Sequence, residues 1–212
     1  MPDVASSIAG VERRVQRFFA PDTMRSREFN ESILKQLSQI GSVYAIGGCV
    51  RDLAFFGADE RPVSDFDLVI NGKADEVAKF ARAIGAKSNR FGGFGLKTES
   101  LKVDFWAFST TWAKVNRKAP IFKPAYLVRS TFFDWDAIIY SFDSKKIVAI
   151  DNYINRLNKR VLEINLAETP SVHGNLVRAL RRLVMFDGKP GRNLQRFLQI
   201  ELPKYSWTSI VE

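Results

Sequence analysis

A double glycine between an apolar strand and an amphipathic helix constrains this chain more than any other feature. Residues Val43–Ile46 predict a short buried strand, Gly47 and Gly48 a tight turn, and residues from about Cys49 to Phe56 a helix. Glycine lets the backbone turn sharply and approach a ligand closely, and the first N–H groups of a helix have no partner within the helix. The pattern therefore predicts a phosphate-binding turn at Gly47 and Gly48.

Two carboxylates follow at alternating positions beside a second apolar strand. Asp65 and Asp67 flank Phe66, and the apolar run continues to Ile70. Side chains two residues apart in a strand point to the same face, so these carboxylates are close enough to share a hard cation. Mg²⁺ prefers oxygen ligands, and two ions about 3.5–4 Å apart can hold an attacking hydroxyl and a leaving pyrophosphate. We therefore predict metal-assisted nucleotidyl transfer; the alternative is a capping or turn pair after Pro62.

The order and spacing of the two motifs resemble a known enzyme family. Residues 47–52, Gly-Gly-x-Val-Arg-Asp, together with Asp65-x-Asp67, are similar to the head domain of class II tRNA nucleotidyltransferases (CCA-adding enzymes) and of bacterial poly(A) polymerases. The resemblance implies a polymerase-β-type nucleotidyltransferase fold and a catalytic, metal-binding role for both aspartates. It spans roughly residues 25–190 and is dense only around residues 44–70.

Asp104 is the best candidate for a third catalytic and metal-binding carboxylate. It lies within the apolar segment 102–106, and a buried aspartate without a partner costs several kcal/mol, so a cation beside it is favoured. In the family, a carboxylate on a later strand completes the metal site. The alternatives are an edge-strand Asp104 that faces water, or one of two rival carboxylates, Asp134 and Asp136.

The helix after the glycine turn opens with further nucleotide-binding candidates. We expect Arg51 to contact phosphate through charge-assisted hydrogen bonds. Asp52 is placed in the same nucleotide site, where it would orient Arg51 or the water shell of the metal. The alternative for Gly47, Gly48 and both charged residues is a tight strand-to-helix turn with a surface ion pair.

Two motifs of the family are altered in this chain. Where the family has Arg-Arg-Asp-Phe-Thr-x-Asn-Ala, residues 130–137 read Ser-Thr-Phe-Phe-Asp-Trp-Asp-Ala, so Asp136 replaces the asparagine. Where the family reads the base with Glu-Asp-x-x-Arg, the chain has Gly174, Asn175 and Arg178. The resemblance implies that Asn175 and Arg178 contact the base, without a strict C-then-A order because an amide both donates and accepts. The alternative for Arg178 is a surface residue on an amphipathic helix.

Strand patterns mixed with helices predict an α+β domain with a small, largely antiparallel or mixed sheet. Residues 1–160 are expected to form the nucleotidyltransferase head domain, with helices over residues 1–42, and residues 161–212 a helical, neck-like region. Segments Ala137–Tyr140 and Lys146–Ile150 favour extended structure, although the family resemblance would make the first one helical.

The charge distribution predicts a nucleic-acid partner. The net charge is +9, and no acidic residue occurs between Phe105 and Phe133. Basic side chains and aromatic rings alternate in that stretch, an arrangement that suits phosphate contacts and base stacking. They are Lys114, Arg117, Lys118, Lys123 and Arg129, with Trp106, Trp112, Phe122 and Tyr126. The alternatives are that the basic side chains only form a solvated surface and that the aromatic rings lie in the core.

These observations together predict an Mg²⁺-dependent nucleotidyltransferase that uses an NTP and acts on an RNA 3′ end such as that of tRNA. The alternatives are transfer to a protein or small-molecule hydroxyl, and a catalytically degraded RNA- or nucleotide-binding module. The chain of 212 residues is shorter than family members, so a protein partner or a homo-oligomer is a candidate for gripping the acceptor. A single cysteine, Cys49, and the lack of a signal or membrane segment favour the cytoplasm.

Overall fold

A seven-stranded mixed sheet forms the centre of the computed structural model, which describes residues 3–20, 29–57, 65–99 and 102–206. Its strands are β1 (Ser42–Ile46), β2 (Phe66–Asn71), β3 (Lys87–Ser88), β4 (Phe94–Lys97), β5 (Lys102–Ala107), β6 (Ile138–Ser141) and β7 (Lys146–Ala149). Two short strands, β8 (Val161–Leu162) and β9 (Lys189–Pro190), pair separately and in parallel.

Helices surround the sheet. They are α1 (Ile8–Phe18), α2 (Lys35–Ile40), α3 (Gly48–Phe56), α4 (Ala74–Ala83), α5 (Trp112–Val115), α6 (Tyr153–Lys159), α7 (Val172–Met185) and α8 (Arg192–Glu201). A π-helical turn (Phe29–Leu34) leads into α2, and 3₁₀ turns span Phe108–Thr110, Pro124–Arg129, Asp134–Asp136 and Leu202–Lys204. Within the described ranges, no helix is long and apolar enough to cross a membrane.

The strand order is β3-β4-β5-β2-β1-β6-β7. Strands β2 and β5 are parallel, whereas every other neighbouring pair in this sheet is antiparallel. The central strands β2 and β5 therefore begin side by side at the same edge of the sheet, where the predicted carboxylates lie. The mixed sheet and the α+β class predicted from the sequence are confirmed.

Apolar side chains cover both faces of the sheet. Val43, Leu68 and Phe105 belong to the larger cluster, which also includes the buried residues of the long helices. Ile46 and Val69 face the opposite side and pack in a second cluster under the segment 108–129. This basic, aromatic segment therefore lies on the same face of the sheet as Asp67, which is two residues before Val69 in strand β2.

Two expectations for secondary structure are corrected. The helix that the family resemblance implied at residues 137–140 is strand β6, because its residues pair with β1 on one side and with β7 on the other. The region after Val161 is helical, but it begins with strand β8, which pairs with β9. The residue-based prediction of extended structure at Lys146–Ile150 is confirmed.

Residues on both sides of position 160 pack in one apolar cluster. Trp135 lies in it together with Leu162, Leu176 and Phe186. Parts of the predicted segments, namely residues 1–2, 21–28, 58–64, 100–101 and 207–212, lie outside the described residues.

Candidate active site

A cavity of about 680 Å³ opens where the glycine turn, the first residues of β2 and β5, and helix α7 meet. All nine residues predicted from the sequence line it: Gly47, Gly48, Arg51, Asp52, Asp65, Asp67, Asp104, Asn175 and Arg178. The fold thus brings together residues that are far apart in the chain.

Asp67 and Asp104 are direct neighbours across the parallel strands β2 and β5. Side chains that are paired in register point to the same face of the sheet, on strands about 4.8 Å apart. Burial, followed by the negative charge of Asp104, raises the pKa of Asp67 to about 7. Burial also raises the pKa of Asp104. Neither carboxylate forms a hydrogen bond or an ion pair within the described part of the chain, although the charge of Arg178 opposes the rise for Asp67 and that of Lys102 opposes the rise for Asp104. The pair is therefore an acidic site without a directly bonded cation.

A glycine on the neighbouring strand leaves room for this pair. Gly95 on β4 is in register with Asp104, and a Cβ at Gly95 would lie 2.9 Å from Oδ1 of that carboxylate. A larger residue at position 95 would push the Asp104 side chain away from its place.

Asp65 is not grouped with the other two carboxylates in the way the sequence predicted. It is half-exposed and forms an ion pair with Lys102. Among the described residues, no three His, Cys, Asp or Glu side chains lie close enough to hold one metal ion. The Asp65 carboxylate instead has the Lys102 ammonium as its counter-charge.

The remaining carboxylates still fit a divalent cation. Mg²⁺ is commonly bound by one or two protein carboxylates, with substrate phosphates and water completing its coordination. Asp67 and Asp104 are two hard oxygen donors on one face of the sheet, and neither is in an ion pair within the described residues. Their roles as metal ligands remain predictions.

The glycine turn has the geometry that the sequence predicted. Gly47 has φ +72°, a conformation that strains any residue with a Cβ, and helix α3 begins at Gly48 with no side-chain cap. The Gly47 N–H donates to the carbonyl of Ile138, which fixes the turn against strand β6. The uncapped helix N-terminus therefore lies at the cavity, as a phosphate site requires.

Arg51 is held in a buried ionic network below this turn. Its Nη2 donates to Asp52 at 2.7 Å, and its Nη1 donates to Asp136 at 2.5 Å. The second oxygen of Asp136 pairs with Nη2 of Arg182 at 2.7 Å. Burial alone would raise the pKa of Asp136, but the guanidinium groups of Arg182 and Arg51 outweigh burial and lower it. Asp52 therefore orients Arg51, and the phosphate contact of Arg51 remains a prediction.

The network joins helix α7 to the glycine turn. The Arg182 guanidinium stacks over the Phe133 ring at 4.4 Å, and its Nη1 is buried with no hydrogen-bond partner within the described residues. Burial lowers the pKa of Arg182 to about 10, against the opposing effect of Asp136.

Asn175 and Arg178 form a second polar unit on the same helix. The buried Asn175 accepts a hydrogen bond from Arg178 at 2.9 Å and donates one to the Thr169 hydroxyl at 2.6 Å. Arg178 is exposed and lines the cavity. Asn175 therefore fixes the direction in which Arg178 presents its guanidinium.

The structure separates the two rival carboxylates from Asp104. Asp134 lies outside this cavity, where it accepts the N–H of Glu163 and pairs with Arg156. Asp136 lines the cavity, but both of its oxygens are occupied by arginines. Sequence reasoning missed the roles of Lys102 and Arg182, since nothing in their local sequence shows which carboxylates they meet.

Solved structures with a similar fold include tRNA-processing enzymes. A structure of a tRNA-processing enzyme complex is 23% identical, with a TM-score of 0.51 over 79% of this chain and 46% of that one. A tRNA nucleotidyltransferase complexed with a primer tRNA and an incoming ATP analog is 20% identical, with a TM-score of 0.51 over 77% and 47%. A CCA-adding enzyme with ATP is 20% identical, with a TM-score of 0.54 over 87% and 45%.

No protein-family model and no curated protein sequence matches the chain. The chain spans about half the length of these structural neighbours. The likeness establishes the fold of a nucleotidyltransferase head domain.

Proposed function

We propose that this protein transfers a nucleoside monophosphate from an NTP to the 3′ hydroxyl of an RNA and releases pyrophosphate. The observation that carries the proposal is the cavity, where an uncapped glycine turn and exposed arginines meet a carboxylate pair that forms no ion pair among the described residues. A triphosphate needs the turn and the arginines, and a cation that bridges it to the protein needs the carboxylates.

Each group of residues has a separate role in this proposal. Gly47 and Gly48 present backbone N–H groups to the triphosphate, and Arg51 adds positive charge from behind the turn. Arg178 contacts the base or ribose in the direction set by Asn175. Asp67 and Asp104 would hold Mg²⁺, which would neutralise phosphate charge. Asp65, which pairs with Lys102, would be free to join them when a phosphate attracts the Lys102 ammonium.

The segment 108–129 supplies a surface for the single-stranded end of the acceptor. Phe122 is 78% exposed, and Arg117, Lys118 and Lys123 around it are exposed as well. Exposed rings stack on bases, and nearby cations contact phosphates. Lys114 is tied to the carbonyl of Ile121 at 2.8 Å, so it is not part of this surface. Trp106, Trp112 and Tyr126 pack against the second apolar cluster.

We expect the triple variant R117Q/K118Q/K123Q to bind single-stranded RNA more weakly than the wild type and with a smaller salt dependence. Each lost phosphate contact should reduce the slope of log affinity against log salt by about 0.7. Fluorescence anisotropy at several salt concentrations measures this. The control K79Q/R82Q/K87Q removes the same charge from exposed positions on α4 and β3. Equal losses in both variants would show a general charge effect and would remove the support for this surface.

We expect the donor preference to differ from an ordered C-then-A choice, and Asn175→Asp to shift it toward bases with an exocyclic amino group. The reason is that a carboxylate only accepts hydrogen bonds, so the change removes the donation to Thr169 and alters how Arg178, which lines the cavity, is held. Incorporation of all four NTPs by both proteins is the measurement. An identical NTP profile for the two proteins would mean that Asn175 does not influence base choice.

The proposed function itself is tested by incubating the protein with each labelled NTP, Mg²⁺ and total cellular RNA. Because a structural neighbour is complexed with a primer tRNA, tRNA lacking its terminal nucleotides is the first defined acceptor to try. Label in RNA supports the proposal. Label found only in protein or in a small molecule would redirect it to another acceptor.

A further inference from the structure

A second basic surface lies across the 3₁₀ turn Asp134–Asp136 from the active-site cavity and has no role in the chemistry described above. Helix α6 and helix α8 line two adjoining depressions of about 430 and 700 Å³, which share Arg192. The 3₁₀ turn Asp134–Asp136 separates this surface from the cavity, since Asp134 lines the first of the two depressions and Asp136 lines the active site.

The two helices present matching polar faces. On α6 and its N-cap, the positions are Asn152, Asn155, Arg156 and Lys159; on α8 they are Arg192, Gln195, Arg196 and Gln199. Both sets follow the spacing i, i+3, i+4, i+7, which places their members on one side of a helix. All eight side chains are exposed.

Three of the four basic side chains on this surface have no ion-pair partner among the described residues. Within the described chain, Lys159, Arg192 and Arg196 form no ion pair. Glu163, which lines the same depression as Lys159 and Arg192, accepts the backbone N–H groups of Ile164, Asn193 and Leu194, so it caps the start of α8. Asp134 is buried and pairs with Arg156.

We infer that the surface formed by α6 and α8 binds the phosphate backbone of double-stranded RNA next to the reacting 3′ end. Arginine, lysine and side-chain amides are the groups that contact phosphate and sugar oxygens. No exposed aromatic ring lies on this surface among the described residues, in contrast to Phe122 on the segment 108–129. Duplex RNA offers stacked, inaccessible bases and is recognised through its backbone, whereas a single strand offers bases for stacking. This inference rests on the proposed function, because it assigns the duplex part of the same acceptor.

The test compares two RNA probes: a hairpin with a short single-stranded 3′ overhang, and the overhang sequence alone. We expect K159Q/R192Q/R196Q to weaken hairpin binding about tenfold near 0.1 M salt and to lower the salt slope by about 2–3 units. The affinity of this triple variant for the single-stranded probe should change less than about threefold. The control K79Q/R82Q/K87Q, which removes the same charge elsewhere, should leave hairpin affinity nearly unchanged.

Hairpin affinity that falls equally in the control, or that does not fall at all, would overturn the inference. Incorporation of labelled NTP into the single-stranded probe is measured with the same samples. If K159Q/R192Q/R196Q retains incorporation and binds the hairpin as the wild type does, only the duplex surface is rejected. If the wild-type protein labels neither probe, the proposed function is rejected. Circular dichroism confirms that the variants are folded.

Discussion

Replacing Asp67 by asparagine is expected to reduce nucleotidyl transfer at least about a thousandfold while the protein stays folded. The substituted amide lacks the charge that a bound cation needs, so Asp104 would face the cation alone. The same change should not harm stability. Asp67 makes no hydrogen bond in the described structure, and its raised pKa shows that its charge is disfavoured in the folded state. Initial rates with saturating NTP and thermal unfolding curves measure both effects.

The matched control is Asp143→Asn, since Asp143 is an exposed carboxylate that does not line the cavity. It should keep wild-type activity. Near-normal turnover by Asp67→Asn with Mg²⁺ would show that the carboxylate pair does not hold the metal. Lost activity with a lower unfolding temperature would instead show a structural role.

Replacing Asp136 by asparagine is expected to lower the free energy of unfolding by about 3 kcal/mol. Asp136 is buried and is the carboxylate that pairs with both Arg51 and Arg182. Without its charge, the Arg182 guanidinium is left buried against a neutral amide. Removing that cation as well, in D136N/R182M, should recover part of the loss, because the uncompensated charge is then gone.

Urea unfolding of the wild type, both single variants and the double variant gives the coupling energy between the two positions. Asp151→Asn, at an exposed carboxylate, serves as the control and should change stability by no more than about 0.5 kcal/mol. If D136N is as stable as the wild type, or the two substitutions are additive, the ion pair does not stabilise the junction between α7 and the glycine turn.

The sequence predicted the local geometry of the site well. The Gly47 turn, the following helix and the strand beside Asp67 each depend on short-range rules: positive φ for glycine, and alternation along a strand. These rules were enough to find residues that line one cavity. The fold class could be predicted for the same reason, since the strand and helix patterns are local.

The rest of the site depends on long-range packing. Arg51 and Asp136 are 85 residues apart, and no local pattern shows that one holds the other. Likewise, Lys102 meets Asp65 because β2 and β5 pair in parallel. The family resemblance misled at residues 137–140, where pairing with β1 and β7 produces a strand.

The central claim is tested most directly by following NTPs labelled at the α- or the γ-phosphate. The wild-type protein, Mg²⁺ and RNA with either a free or a 3′-deoxy end are combined in parallel. We predict that α-label joins RNA with a free 3′ hydroxyl, that γ-label is released in pyrophosphate, and that 3′-deoxy RNA stays unlabelled. Label transferred from the γ-phosphate, or equal labelling of the 3′-deoxy RNA, would contradict nucleotidyl transfer to the RNA 3′ end.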